Sequence, residues 1–171
     1  TPCGTLFPYT TLFRSVMIEH KALMTLLAGF NEIAHVRSRE NCLSVTPFTF
    51  DVSVWEFFIS IPFGGTLHLL KTGDLVNLYK FIDYLCDHNI QCAYFPPSIL
   101  QELLHILEKN QKKLPIQRLL VGVEPIKQST LEGLKNVSEN ITIINGYGPT
   151  ETTICATLKK KKKAHFPDRK T

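Results

Sequence analysis

The nine residues Asn145-Gly-Tyr-Gly-Pro-Thr-Glu-Thr-Thr153 directly follow the apolar run Ile141-Thr-Ile-Ile144, and they gather several kinds of chemistry in one place. Tyr147 offers an aromatic face. Thr150 offers a hydroxyl that can donate to a phosphate oxygen, and Glu151 a carboxylate that can ligate a metal. Gly146, Gly148 and Pro149 predict a tight turn. A strand, a turn, a hydroxyl and an acid together suit nucleotide chemistry. A bare Thr-Glu pair, by contrast, would do no more than open the next helix.

Asp51 is the second candidate, in Phe50-Asp-Val-Ser-Val-Trp-Glu56. A carboxylate at a strand end can pair with a bound ammonium group, an interaction that strengthens where water is excluded. An aspartate there would also cap a helix without any ligand. His20, His68, His88, His105 and His165 stand at no metal-ligand spacing with cysteine or acid. Neither a Gly-x-Ser-x-Gly elbow nor a Walker-type loop is present.

The elements that must carry these residues alternate. Leu23, Leu26, Leu27, Phe30, Ile33 and Ala34 share one stripe, which predicts a helix from about Glu19. Cys42-Leu-Ser-Val-Thr-Pro-Phe48 reads as a strand ended by Pro47, and Ser53-x-x-Glu56 as a capping box opening a helix over Val54–Ile59. Gly64-Gly65 turns into a strand ending near Leu70, and Leu78, Phe81, Ile82 and Leu85 mark the next helix. Cys92–Phe95 is a strand stopped by Pro96-Pro97, after which Ser98 can cap another helix. Arg118–Val121 and Ile141–Ile144 are further strands, separated by a helix over Ser129–Asn136. The fold class expected is α/β, a mainly parallel sheet covered by helices. Ligands of such sheets sit beyond the carboxyl ends of the strands, here the turns Phe50–Ser53, Tyr94–Ser98, Gly122–Pro125 and Asn145–Glu151.

The chain has 171 residues and a formal charge of +4, but the charge is local. Residues 159–171 hold seven Lys/Arg against one acid. Removing them from totals of 19 bases and 15 acids leaves 12 and 14. The body is not basic, so no nucleic-acid partner is expected. The five cysteines are scattered and form no Cys-x-x-Cys pair, which fits a reducing cytoplasm better than a disulfide framework or a zinc site. No apolar run approaches the roughly 20 residues that cross a bilayer, and no membrane partner is expected.

The string NGYGPTETT resembles the adenine-and-phosphate motif of the adenylate-forming superfamily, and FDVSVWE resembles the amino-acid motif of its nonribosomal peptide synthetase branch. Pro96-Pro97-Ser98 and LLVGVE are similar in kind and order, and the resemblance covers roughly residues 16–157. It implies a partial N-terminal subdomain of the adenylate-forming fold over residues 16–158. Residues 5–15 resemble a translated sequencing adapter, which makes 1–15 an artefact outside the fold. Residues 159–171 read as a basic tail, or as the product of a slipped frame.

What the resemblance implies of the chemistry is activation of an α-amino acid with ATP and Mg²⁺ to an aminoacyl-AMP. That product passes to the phosphopantetheine thiol of a peptidyl carrier domain working beside a condensation domain. Asn145 would meet the adenine amino group and Tyr147 would stack on adenine, with Gly146 and Gly148 also among the nucleotide-binding residues. Thr150 would contact the α-phosphate and Glu151 the metal. Asp51 would hold the α-ammonium. The side-chain pocket would comprise Phe50, Val52, Trp55, Tyr94 and Leu120, together with Gly122, Gly146, Ile154 and Cys155. That lining carries no formal charge, which points to an apolar or aromatic substrate, and Gly122 and Gly146 suggest room for a bulky one. Val123 departs from the glycine usual after Gly122. The family's phosphate loop, ribose-binding aspartate, hinge and C-terminal lysine are not found in the sequence, so the isolated chain is expected not to adenylate. An acyl- or aryl-CoA ligase of the same superfamily is the alternative that Asp51 disfavours. A non-catalytic nucleotide-binding domain is the other.

Overall fold

A computed structural model describes residues 16–122, 126–138 and 140–160. The readings made for residues 1–15, 123–125 and 161–171 lie outside this range. Five α-helices and six strands alternate among the described residues: α1 His20–Ala34, β1 Asn41–Ser44, α2 Val52–Ile59, β2 Thr66–Leu69, α3 Leu78–Asp87 and β3 Ile90–Tyr94, then α4 Pro97–Lys109, β4 Arg118–Gly122, α5 Gln128–Val137, β5 Thr142–Tyr147 and β6 Thr157–Lys160. The strands form one sheet in the order β2-β1-β3-β4-β5-β6. β1 to β5 are mutually parallel, and β6 runs antiparallel to β5.

Side chains alternate across a strand, and here the alternation separates two cores. Leu119, Val121 and Ile143 face one way, into a core that α3, α4 and α5 complete with residues such as Phe81, Leu103 and Leu131. Leu120, Ile144 and Cys92 face the other way, toward α1 and α2. Both faces are therefore covered, as an all-parallel arrangement requires. On the second face Phe30 of α1 meets Trp55 of α2 edge to face, with ring centroids 4.9 Å apart. Such a pair contributes about 1 kcal/mol beyond the area it buries.

Several local readings are corrected. β1 stops at Ser44 rather than reaching Pro47, because the N–H groups of Val45 and Thr46 donate to the Glu56 carboxylate at 3.2 and 3.1 Å. Glu56 therefore does not complete a capping box. Ser53 donates instead to the Phe48 carbonyl, and Asp51, at the N-cap position of α2, makes no side-chain cap bond. α4 begins with Pro96 as N-cap and Pro97 in its first turn, so Ser98 is not the cap. Proline suits that place because its missing N–H would have had no helical partner. β6 takes in Lys159 and Lys160, the first two residues of the expected tail, which pair with Asn145 and Ile144.

A buried ion pair fastens α1 to the sheet. Arg118 Nη1 lies 2.7 Å from Glu40 Oε1, with both side chains at or below 5% exposure. The same guanidinium donates to the carbonyls of Ala34 and His35, satisfying the C-terminal end of α1. Burial raises the Glu40 carboxyl above its ordinary value, and the Arg118 charge opposes that rise.

Candidate functional site

The carboxyl ends of β3, β4 and β5 and the start of α2 converge on a cavity of about 200 Å³. Nine of the ten expected substrate residues line it. Phe50, Asp51 and Val52 come from the turn into α2, Tyr94 and Leu120 from β3 and β4, and Gly122, Gly146, Ile154 and Cys155 complete the wall. Tyr147, Gly148, Pro149 and Thr150 line it as well, and so does Val121, whose side chain belongs to the opposite core. Pro149 carries no side-chain chemistry, and Val121 points away on the strand period. Neither left a signal in the sequence as a lining residue.

Trp55 is the exception and is corrected to a core residue. It is 1% exposed, packs on Phe30, and does not reach the cavity. Asn145 sits inside the ladder, opposite Val121 on one side and Lys159 on the other, and is not part of the cavity wall. Glu151 is exposed in the 3₁₀ turn Thr150–Thr152, also off the wall. Tyr147 is 69% exposed at the rim, an aromatic ring left open to solvent.

The Asp51 turn is held from below. Glu56, wholly buried, accepts hydrogen bonds from Ser44 Oγ at 2.9 Å, Val45 N, Thr46 N and Thr46 Oγ1 at 2.7 Å. Burial raises its pKa, and the hydrogen bonds from Thr46, Ser44 and Val45 oppose the rise. The carboxylate thus joins the end of β1 to α2, and Asp51 is presented at the top of that joint. Thr150 Oγ1 donates to Asp51 Oδ2 at 2.7 Å across a sequence separation of 99 residues. The two polar side chains singled out on separate motifs are in direct contact.

The opposite wall depends on close backbone approach. A Cβ on Gly122 would lie 2.1 Å from the Gly146 carbonyl oxygen, its partner in the β4–β5 register. A Cβ on Gly146 would meet Cys155 Sγ at 2.5 Å, and one on Gly148 would meet the Ala156 nitrogen at 2.3 Å. These glycines let neighbouring chain come near. The room a Cβ would need at Gly122 and Gly146 is taken by the Gly146 backbone and the Cys155 sulfur. Asn145, Gly146 and Tyr147 extend β5, so the turn begins only at Gly148.

Beyond the 3₁₀ turn, Thr153 and Ile154 both take left-handed backbone, at φ 61° and 68°. That conformation is costly for β-branched side chains. A three-residue turn, closed by Cys155 N–H to the Thr153 carbonyl at 2.6 Å, brings Ile154 and Cys155 back to the cavity before β6. Burial pushes the Cys155 thiol up to about 11, with the Asp51 charge adding to the effect, so the thiol is neutral at pH 7. Among the described residues no group of three or more His, Cys, Asp and Glu is arranged to hold a metal ion. No helix among them is long and apolar enough to cross a membrane.

The geometry has counterparts among known proteins. The family described as AMP-binding enzyme matches residues 14–170. Gramicidin S synthase 1 of Brevibacillus brevis is 31% identical over 144 residues, and zwittermicin A synthase ZmaJ of Bacillus cereus is 33% identical over 150. Each alignment takes in 84% of this chain but only 12% and 29% of those relatives, so the chain spans less than a third of their length. The crystal structure of CmiS6 superposes with a TM-score of 0.72 at 19% identity, over 85% of this chain and 35% of that one, and shows the same fold. With the family matched over nearly the whole sequence, the chain belongs to the AMP-binding enzymes.

Proposed function

We propose that the chain carries the amino-acid pocket and the adenine-and-phosphate edge of an amino-acid-activating adenylation domain. The observation that carries this reading is the cavity wall: a single carboxylate, Asp51, stands among neutral residues supplied by the ends of three parallel strands. An α-ammonium pairs with Asp51. Val52, Tyr94, Leu120, Ile154 and the neutral Cys155 leave an ionised substrate side chain without a partner, so the substrate is an apolar or aromatic amino acid.

In the reaction so proposed, the amino-acid carboxylate attacks the α-phosphorus of ATP, pyrophosphate leaves, and aminoacyl-AMP forms. A carrier-domain phosphopantetheine thiol then takes the aminoacyl group as a thioester, next to a condensation domain of the parent synthetase. Thr150 donates to the α-phosphate and Tyr147 stacks on adenine, for which its exposed ring at the cavity rim is suited. Gly146 and Gly148 let the Cys155–Ala156 segment close in beside that ring. Asn145, held in the ladder, marks the adenine edge. Mg²⁺ requires few protein ligands because phosphate oxygens and water supply the rest, and the single exposed carboxylate of Glu151 beside Thr150 fits that demand. When bound, the metal offsets phosphate charge; the chain's own share is positioning.

Titration of the chain with AMP and with each standard amino acid, read by heteronuclear NMR, tests the reading. Shifts at Gly146, Tyr147 and Gly148 with AMP, and at Asp51 and Leu120 with an apolar amino acid, are expected. No response to any amino acid, or a preference for a charged one, overturns it. The isolated chain is expected to give no amino-acid-dependent pyrophosphate exchange above a blank.

A further inference from the structure

A threonine hydroxyl carries one donor hydrogen, and the Thr150 hydrogen lies on Asp51 Oδ2. A phosphate oxygen at Thr150 needs the same hydrogen, because phosphate and carboxylate are both acceptors. The contact also stands where two cavities adjoin. Asp51, Thr150 and Ile154 line both the 200 Å³ cavity and a neighbour of about 310 Å³, whose other walls include His20, Leu23 and Val54. The Asp51–Thr150 bridge thus lies on the wall that the two cavities share.

Resting on the reading of this site as an amino-acid and nucleotide pocket, we propose that the Asp51–Thr150 hydrogen bond is a latch that makes the two ligands bind cooperatively. An ammonium arriving at Asp51 brings charged donors that compete for the carboxylate and weaken its hold on the Thr150 hydrogen. A phosphate arriving at Thr150 withdraws that hydrogen and leaves Asp51 an acceptor that an ammonium fills. Whichever ligand comes first opens the latch, and the second binds without that cost. Linkage makes the effect equal in both directions. Attraction between ammonium and phosphate adds coupling that does not depend on Thr150, so the latch is the part of the coupling that disappears with the hydroxyl.

The experiment is a pair of NMR titrations of the 171-residue chain with AMP, one without and one with a saturating amino acid, chosen as the tightest binder of the standard twenty. It is repeated on Thr150→Val and Thr150→Ser. Thr150 is exposed, so neither substitution disturbs the core, and unchanged amide spectra away from the site verify this. The amino acid is expected to tighten AMP binding about 5-fold or more, the lower end of ordinary coupling between sites. Thr150→Val brings the factor below about 2-fold, and Thr150→Ser, which keeps the hydroxyl, retains it. Equal coupling in the original chain and Thr150→Val, or no coupling when both ligands bind, overturns the latch and leaves the pocket reading standing. If the original chain fails to bind AMP, or fails to bind any amino acid, the pocket reading falls and the latch falls with it.

Discussion

The two walls of the cavity are secured by opposite means. The Asp51 wall rests on a saturated polar joint, in which one buried carboxylate, Glu56, accepts four hydrogen bonds from the end of β1. The wall from Gly146 to Cys155 rests on steric proximity and strain, with glycines pressed against neighbouring backbone and two β-branched residues at positive φ. A polar joint holds its geometry through the number and direction of its hydrogen bonds. A close-approach joint holds through the absence of atoms. The first is broken by deleting an acceptor, and the second by adding a methyl group.

The largest effect is expected at the polar joint. Glu56→Ala removes an acceptor shared by the Val45 and Thr46 N–H groups and by the Ser44 and Thr46 hydroxyls, and at about 1 kcal/mol for each of these hydrogen bonds the loss is about 4 kcal/mol. Urea unfolding of the chain measures it. A loss below about 1 kcal/mol would show that solvent or a neighbour replaces the carboxylate, and the contrast between the walls would collapse.

Next comes Gly122→Ala, whose added carbon faces a backbone oxygen that cannot rotate away. Separating β4 from β5 is expected to cost about 2 to 3 kcal/mol. Gly146→Ala is milder, at about 1 kcal/mol, because its nearest neighbour is the terminal sulfur of Cys155, which can change rotamer. The ratio of the two losses by urea unfolding is the sharper reading. Equal losses would mean that the strands part as one unit, not at individual contacts.

Much of this arrangement is legible in one dimension. The stripe Leu23, Leu26, Leu27, Phe30, Ala34 lies on one buried face of α1, and the strand–helix alternation becomes the parallel sheet. These signals are local, since period and spacing belong to single elements. The misreadings arise where the physics is not local. Ser53 and Glu56 stand at capping-box spacing, yet Glu56 turns inward, where the end of β1 presents the Val45 and Thr46 N–H groups to it. Gly122 and Gly146 look like free volume until the register sets them opposite each other. Arg118 reads as a charge at the start of a strand, and only the packing of α1 against the sheet gives it the two carbonyls and Glu40 as partners. Trp55 fits a motif position but is claimed by Phe30.

The smallest expected effect probes the seam where the two walls face each other. Cys155 belongs to the strained wall and Asp51 to the polar one, and the thiol's rise to about 11 comes first from burial and then from the Asp51 charge. A group whose folded pKa is raised contributes stability that is full below its unfolded value, here 9.0, and is lost as pH rises through about 11. Only the thiolate alkylates, so the rate of Cys155 carbamidomethylation, followed by mass spectrometry, is expected to climb toward a midpoint near 11 instead of 9.0. Asp51→Asn removes the smaller cause and leaves burial, so the midpoint should fall only part of the way. A full return to the ordinary thiol value would make charge the dominant cause. No movement at all would separate the two walls electrostatically, and the cavity would then be two surfaces that merely adjoin.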